Sequence, residues 1–297
     1  MPHDHAHAPP ADLGPAFRWA VGLNAAYVIV EAVFGFLTGS LALLADAAHN
    51  LTDVAGLLIA WGAAVLAKRA GGATYTFGYG RATILAAMLN ATAILIGVVV
   101  VIWEAAQRFQ SVVEVPGLTI LLVALVGIVV NTGSALLFMK SQKDDLNAKG
   151  AFLHMAADAA VSGAVVLAAA GIMATGWQWL DPAVAIAVSL LIAWTAWGLL
   201  RDSLRLELDG VPHAVDRQAV ADWLGAQDGV SDVHDLHIWA LSTTRTALAV
   251  HVVWDGRDAD AFLEHITDEL EHEFGITHST VQIERAQCDR AGTCLVA

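Results

Sequence analysis

The 297-residue chain is 57% hydrophobic and only 15% charged, with a mean hydropathy of +0.60, whereas a soluble domain carries about a quarter of its residues as charges. That composition excludes an ordinary soluble enzyme and a disordered chain. A formal charge of -14, with 15 Lys and Arg against 29 Asp and Glu, excludes a nucleic-acid binder, which needs cationic surface against phosphate.

Residues 1–16 read as a tail in which His3, His5 and His7 alternate with small or acidic residues ahead of Pro9 and Pro10. Short His tracts bind metals weakly, and a tail without a role is an equal alternative. No basic stretch leads into an early apolar run, so no cleavable signal is expected.

Six apolar stretches follow, at 17–37, 41–67, 82–103, 118–139, 151–175 and 180–200. Each is long enough to cross about 30 Å of hydrocarbon at 1.5 Å per residue. The first carries Asn24 and Glu31 on one face. The second carries Asp46, His49, Asn50 and Asp53, which at about 100° per residue share one sector of the helix. Asn90 and Asn131 lie in the third and fourth, and either pathway lining or interhelical bonding suits them. The fifth carries His154 and Asp158, with Asn147 and Ser162 on the same stripe.

Beyond the membrane region, residues 206–285 read as a separate acidic domain, since from residue 206 onward 17 acids face only five arginines. A helix is expected over 213–227, strands over 230–241 and 247–254, an amphipathic helix over 259–274 and a strand over 280–284. The order αββαβ suggests a small ferredoxin-like or metallochaperone-like sandwich, which dimerisation would help to stabilise. Residues 286–297 form a last tail holding Cys288 and Cys294. Two cysteines are too few for a disulfide scaffold, and a reducing compartment is the simpler reading. Their Cys-x₅-Cys spacing is not the tight zinc knuckle, although metal binding stays open for both.

Loop charges give an orientation for this six-helix body, residues 17–205. Arg18, Lys68, Arg69, Arg81, Lys140, Lys143, Lys149, Arg201 and Arg205 fall on one side and Arg108 on the other. Positive loops face the cytoplasm, so both termini and the acidic domain are expected there. The expectation is thus an α-helical membrane protein with six transmembrane helices and a cytoplasmic α+β domain.

An Asp at the middle of a membrane helix costs about 2.5–3.5 kcal/mol on insertion scales, so each one needs a reason. The spacing His-x-x-x-Asp occurs at His49/Asp53 and again at His154/Asp158. Residues four apart stand one above the other on a helix, so two such helices can offer two imidazoles and two carboxylates to one ion. Four N/O ligands suit tetrahedral Zn²⁺, and two carboxylates balance its charge. Interhelical hydrogen bonding and a metal-free proton relay are the competing readings. An intramembrane metalloenzyme would need an open coordination position and a general base, yet no His-Glu-x-x-His occurs. A membrane metal sensor without transport is disfavoured by ligands placed within the spans. No Walker A pattern is present, so ATP is not expected. In the acidic domain, His234 and His251 stand on strands expected to be adjacent and antiparallel.

Several segments carry a family resemblance. The run SLALLADAAHNLTD (40–53), TFGYGR (76–81), HMAAD (154–158), DPAVAI (181–186) and VHDLHIWALS (233–242) together resemble the cation diffusion facilitator family of zinc transporters, over about residues 17–284. The resemblance implies a homodimeric, multi-pass plasma-membrane (inner-membrane, if bacterial) exporter that exchanges cytoplasmic zinc for protons. Some members also tolerate cadmium and cobalt. It implies a transport site of His49, Asp53, His154 and Asp158, with Asp46 outside the core ligands and assigned to uptake of the ion or to proton handling. It also implies regulatory metal in the cytoplasmic domain at positions matching His234, His251, His265, His278 and Glu284. The accessory His/Asp site that some members hold between spans two and three has no counterpart in 68–75, and the His-rich loop of others has none in 140–150.

Overall fold

The computed structural model describes residues 14–109, 113–139 and 146–286. It describes their side chains except those of 14–21, 52–58, 60, 61, 138, 146–151, 153 and 154. The elements run α1 (Gly14–Thr38), α2 (Leu41–Ala67), α3 (Ala82–Arg108), α4 (Gly117–Phe138), α5 (Leu146–Thr175), α6 (Leu180–Glu207), α7 (Arg217–Gly225), β1 (Val230–Ala240), β2 (Thr246–Trp254), α8 (Ala259–Phe274) and β3 (Ile276–Glu284). Contacts group the chain into two compact units: the part through Leu57 with Thr92–Trp197, and Leu58–Ala91 with Gly198 onward.

All six expected apolar segments are helices. Among the described residues four stretches are long and apolar enough to span a membrane, within α3, α4, α5 and α6, and Gly22–Thr38 of α1 is a shorter apolar helix. Helices α3, α5 and α6 outrun the expected apolar stretches by five, five and seven residues. Hydropathy marks where lipid ends, whereas backbone hydrogen bonding continues into polar sequence such as Arg201–Glu207.

In the first unit α4 packs along α5 and against α1. Tyr27, Leu43, Ile120, Val123, Val165 and Ile172 belong to one buried cluster joining α1, α2, α4 and α5. A second joins Val98, Val161, Val188 and Ile192 from α3, α5 and α6. The α1–α2 corner turns at Gly39, whose φ of 68° is cheap only without a Cβ. The start of α2 is capped from another helix. Asp181 of α6 accepts from the Ser40 hydroxyl at 2.5 Å and from the backbone amides of Leu41 at 2.8 Å and Ala42 at 3.3 Å. Arg108 of α3 donates to the Gly39 carbonyl. Amides at a helix start have no partner of their own, and Asp181 supplies one in the apolar interior.

In the second unit β1 pairs antiparallel with β2, and β2 pairs parallel with β3 through α8, in the order β1-β2-β3. The sheet covers a core including Val220, Leu224, Leu248, Val252, Ile266 and Leu270. Helix α7 starts at Arg217 rather than at 213, because Asp216 is its N-cap and accepts from the amides of Gln218 and Ala219. Helix α8 ends on Gly275 at a left-handed φ of 66°. Strand β3 begins at Ile276, four residues before the expected 280, since parallel pairing with β2 already starts there. The α2–α3 connection lies in this unit too. Arg81 pairs with Asp209, the Thr243 amide donates to Thr83 at 3.0 Å, and Phe77 meets His278 edge-on at 5.4 Å.

Candidate metal centres

The expected intramembrane ligands fall on α2 and α5. His49 Nε2 stands 3.7 Å from Asp158 Oδ1, and Asp158 is buried. Asp53 and His154 lie on the same two helices, four residues from these partners, and their side chains are outside the described residues. The ties between α2 and α5 extend one turn further, where Ser162 donates to Asp46 at 3.2 Å. Asp46 is fully buried and also accepts from Asn50 at 3.3 Å. Around this level the interior is polar on every helix of the cluster. Tyr27 donates to Glu31 at 2.8 Å and Asn24 to Ser134 at 3.0 Å, while Asn131 is buried with no hydrogen-bond partner among the described residues. A cavity of about 30 Å³, room for a water or two, touches His49 from the α3 and α6 side and is lined also by Ser189, Ile94 and Val98.

A second cluster sits on the sheet. His234 and His251 are direct cross-strand partners, with ring centroids 5.3 Å apart. Glu284, at the end of β3, brings Oε2 to 3.5 Å from His234 Nε2 and Oε1 to 3.1 Å from His251 Nδ1. Ligand atoms of the three lie within 4.8 Å of one another. Among the described residues His234 Nε2, His251 Nδ1 and Glu284 Oε2 are buried and make no hydrogen bond. Two imidazole nitrogens and a carboxylate left unsatisfied toward a common point are a donor set for Zn²⁺. The outer side is ordered by further carboxylates. Asp232 holds His234 Nδ1 at 2.9 Å, fixing the ring so that Nε2 faces inward, and Asp235 lies 3.6 Å from His251 Nε2.

The sheet brings together only part of the regulatory set that the resemblance implied. His234, His251 and Glu284 form the group, whereas His265 lies by Trp223, ring centroids 6.5 Å apart, and His278 meets Phe77. Cys288 and Cys294, like His3, His5 and His7, lie outside the described residues. Two participants were not singled out from the sequence. Asp235 occupies a β-bulge between His234 and His237 with φ 51°, which resets the strand alternation and leaves His237 exposed. Strict period-two reading cannot place a side chain beyond a bulge. Asp181 was noticed only within a motif, and its signal was a charge at the start of an apolar helix.

Comparison with known proteins agrees with both halves. The family model described as the cation efflux transmembrane domain matches residues 18–206, and the cation efflux protein cytoplasmic domain matches 212–286. The cation efflux system protein CzcD of Alcaligenes sp. (strain CT14) is 39% identical, covering 97% of this chain and 92% of its own. A Bacillus subtilis protein named as a cadmium, cobalt and zinc/H(+)-K(+) antiporter is 37% identical over 87% of this chain and 85% of its own. The zinc transporter ZitB of Escherichia coli is 37% identical, covering 97% and 94%.

Proposed function

Because the chain belongs to the cation efflux family, the zinc-type cation diffusion facilitators, we propose that it exports zinc from the cytoplasm in exchange for protons. Cadmium and cobalt, named for the Bacillus subtilis relative, are the expected alternative cargoes. Six helices span the membrane, with both termini and the acidic domain on the cytoplasmic side, as the loop charges indicate. His49 and Asp53 from α2, with His154 and Asp158 from α5, hold the ion. The observation that carries this reading is the repeated His-x-x-x-Asp pair on two helices whose facing members, His49 and Asp158, stand 3.7 Å apart.

The chemistry follows from the ligand types. Zinc needs neutral imidazole and ionised carboxylate, so its binding displaces protons and weakens as pH falls. Imidazole as a side-chain type titrates near 6.5, within reach of physiological proton gradients. Four protein ligands make the ion's surroundings nearly neutral, which lowers the cost of holding it between apolar helices. Rocking of the helices then exposes the loaded site to the opposite face, where protons take the ligands back. The cytoplasmic domain dimerises, and zinc at His234, His251 and Glu284 favours the transport-competent arrangement of the dimer. Its acidic surface also raises the local cation concentration.

The reading is tested in vesicles that contain the protein and an internal zinc-sensitive dye, under an imposed proton gradient. Gradient-driven zinc flux is expected in the unaltered protein and should be lost in Asp158→Ala. Undiminished flux in that variant refutes the ligand assignment.

A further inference from the structure

Asn131 of α4 is fully buried, and neither its Nδ2 nor its Oδ1 has a hydrogen-bond partner among the described residues. Because both atoms are unsatisfied, this holds whichever way the amide is turned. Pathway lining and interhelical bonding both suit an Asn in an apolar span, but no interhelical bond reaches this one among the described residues. An amide withdrawn from water without partners bears its full desolvation cost. Other polar side chains of the same interior are served, Ser134 by Asn24 at 3.0 Å and Glu31 by Tyr27 at 2.8 Å.

The register of α4 against α5 shows what lies beside the amide. The two helices follow one another in the chain and pack along their length. At Gly127 of α4 an added Cβ would stand 2.9 Å from Ser162 Oγ of α5. Two turns further along α4, the Asn24 amide joins Ser134 at 3.0 Å to Met155 of α5 at 3.4 Å. Between these two levels α4 advances seven residues and α5 goes back seven, so the helices run antiparallel and in step. Asn131 lies four residues from Gly127 and three from Ser134, and Asp158 lies four from Ser162 and three from Met155. At 1.5 Å of rise per residue Asn131 is therefore level with Asp158, on the face of α4 that also carries Gly127 and Ser134. Asp158 Oδ1 is in turn 3.7 Å from His49 Nε2. The unsatisfied amide thus stands at the height of the proposed ligands.

We propose that Asn131 is a further residue of the transport site, its Oδ1 meeting the transported ion and its Nδ2 donating to Asp158. The proposal rests on the transport-site reading of the proposed function. An amide presents an acceptor and a donor side by side, so a cation held by a carboxylate satisfies both halves at once. The oxygen adds a ligand without adding charge, and the balance of a divalent ion against Asp53 and Asp158 is kept. A donor behind a ligating carboxylate also fixes its orientation. The cost of the buried amide is borne without the ion and relieved with it, and that difference adds to ion affinity.

The test titrates the full-length protein with zinc in detergent, in a His234→Ala background that removes the cytoplasmic ion from the reading. Asn131→Leu keeps the volume and removes both polar atoms. Zinc affinity should fall at least about tenfold, while the unfolding midpoint without metal should rise, since an apolar group replaces an unsatisfied amide. The zinc-induced rise in that midpoint should shrink accordingly. An unmoved affinity, as for an amide that only holds a buried water, overturns the proposal. So does an affinity lost together with a lowered midpoint, as for loosened packing. Should Asn131→Leu fail to fold, Asn131→Asp puts a charged oxygen at the same point and should tighten zinc binding; an unmoved affinity is equally fatal there. Zinc retained by Asp158→Ala in the same background sinks the transport-site reading, whereas zinc lost in Asp158→Ala but held undiminished by Asn131→Leu sinks this proposal alone.

Discussion

At the scale of single residues, the proposed chemistry rests on charges that an apolar interior would otherwise reject. Asp46, Asp158 and Glu31 are all buried in helices of the apolar body, and each keeps partners that make its presence tolerable. In the proposed site the two imidazoles would set the cargo, since nitrogen ligands favour zinc-like ions and carboxylate sets favour manganese. His49→Asp should therefore shift the ratio of manganese to zinc flux upward by at least about tenfold, since even partners behind a metal ligand are worth that much; an unchanged ratio counts against His49 as a ligand. On the sheet, His234→Ala removes one of three converging donors. Zinc bound per full-length chain should drop by one cytoplasmic ion, read by equilibrium titration, while the intramembrane ion stays. The His-x-x-x-Asp pairs stand out in the sequence because a charge in an apolar run has few innocent explanations, and the facing of His49 and Asp158 is consistent with them. Asp235 does not stand out, because nothing in the local sequence announces the bulge that turns it toward His251.

At the scale of elements, one carboxylate organises the start of the helix that bears half the proposed site. Asp181 reaches from α6 to cap α2, and Arg108 from α3 holds the carbonyl just before it. Removing a buried acceptor leaves the Leu41 and Ala42 amides and the Ser40 hydroxyl unsatisfied, costing about 1–3 kcal/mol. Asp181→Ala should thus lower the thermal unfolding midpoint in detergent, with Asp181→Asn retaining part of the loss; a midpoint equal to that of the unaltered protein would remove Asp181 from this role. Helix existence and order could be read from apolar run length, and α2 and α8 even at both ends. Other ends could not: α7 starts only after its own N-cap, Asp216, and α3, α5 and α6 continue beyond the apolar sequence that marks them.

At the scale of the whole chain, the uneven charge separates an apolar body from an acidic domain, and the two family domains meet between residues 206 and 212. The division was legible from charge alone, since lipid excludes what water admits. Orientation is testable directly. A cysteine introduced at Glu114, between α3 and α4, should react with an impermeant maleimide in intact cells. Cys288 should react only after permeabilisation, and the reverse pattern would invert the topology. The central claim, zinc moved against protons by two histidines and two aspartates, is tested most directly by following zinc and protons together in one vesicle preparation while the imposed proton gradient is set in either direction. The account predicts that zinc moves opposite to the protons in both cases and that Asp158→Ala abolishes both fluxes; zinc flux that ignores the direction of the gradient would contradict it.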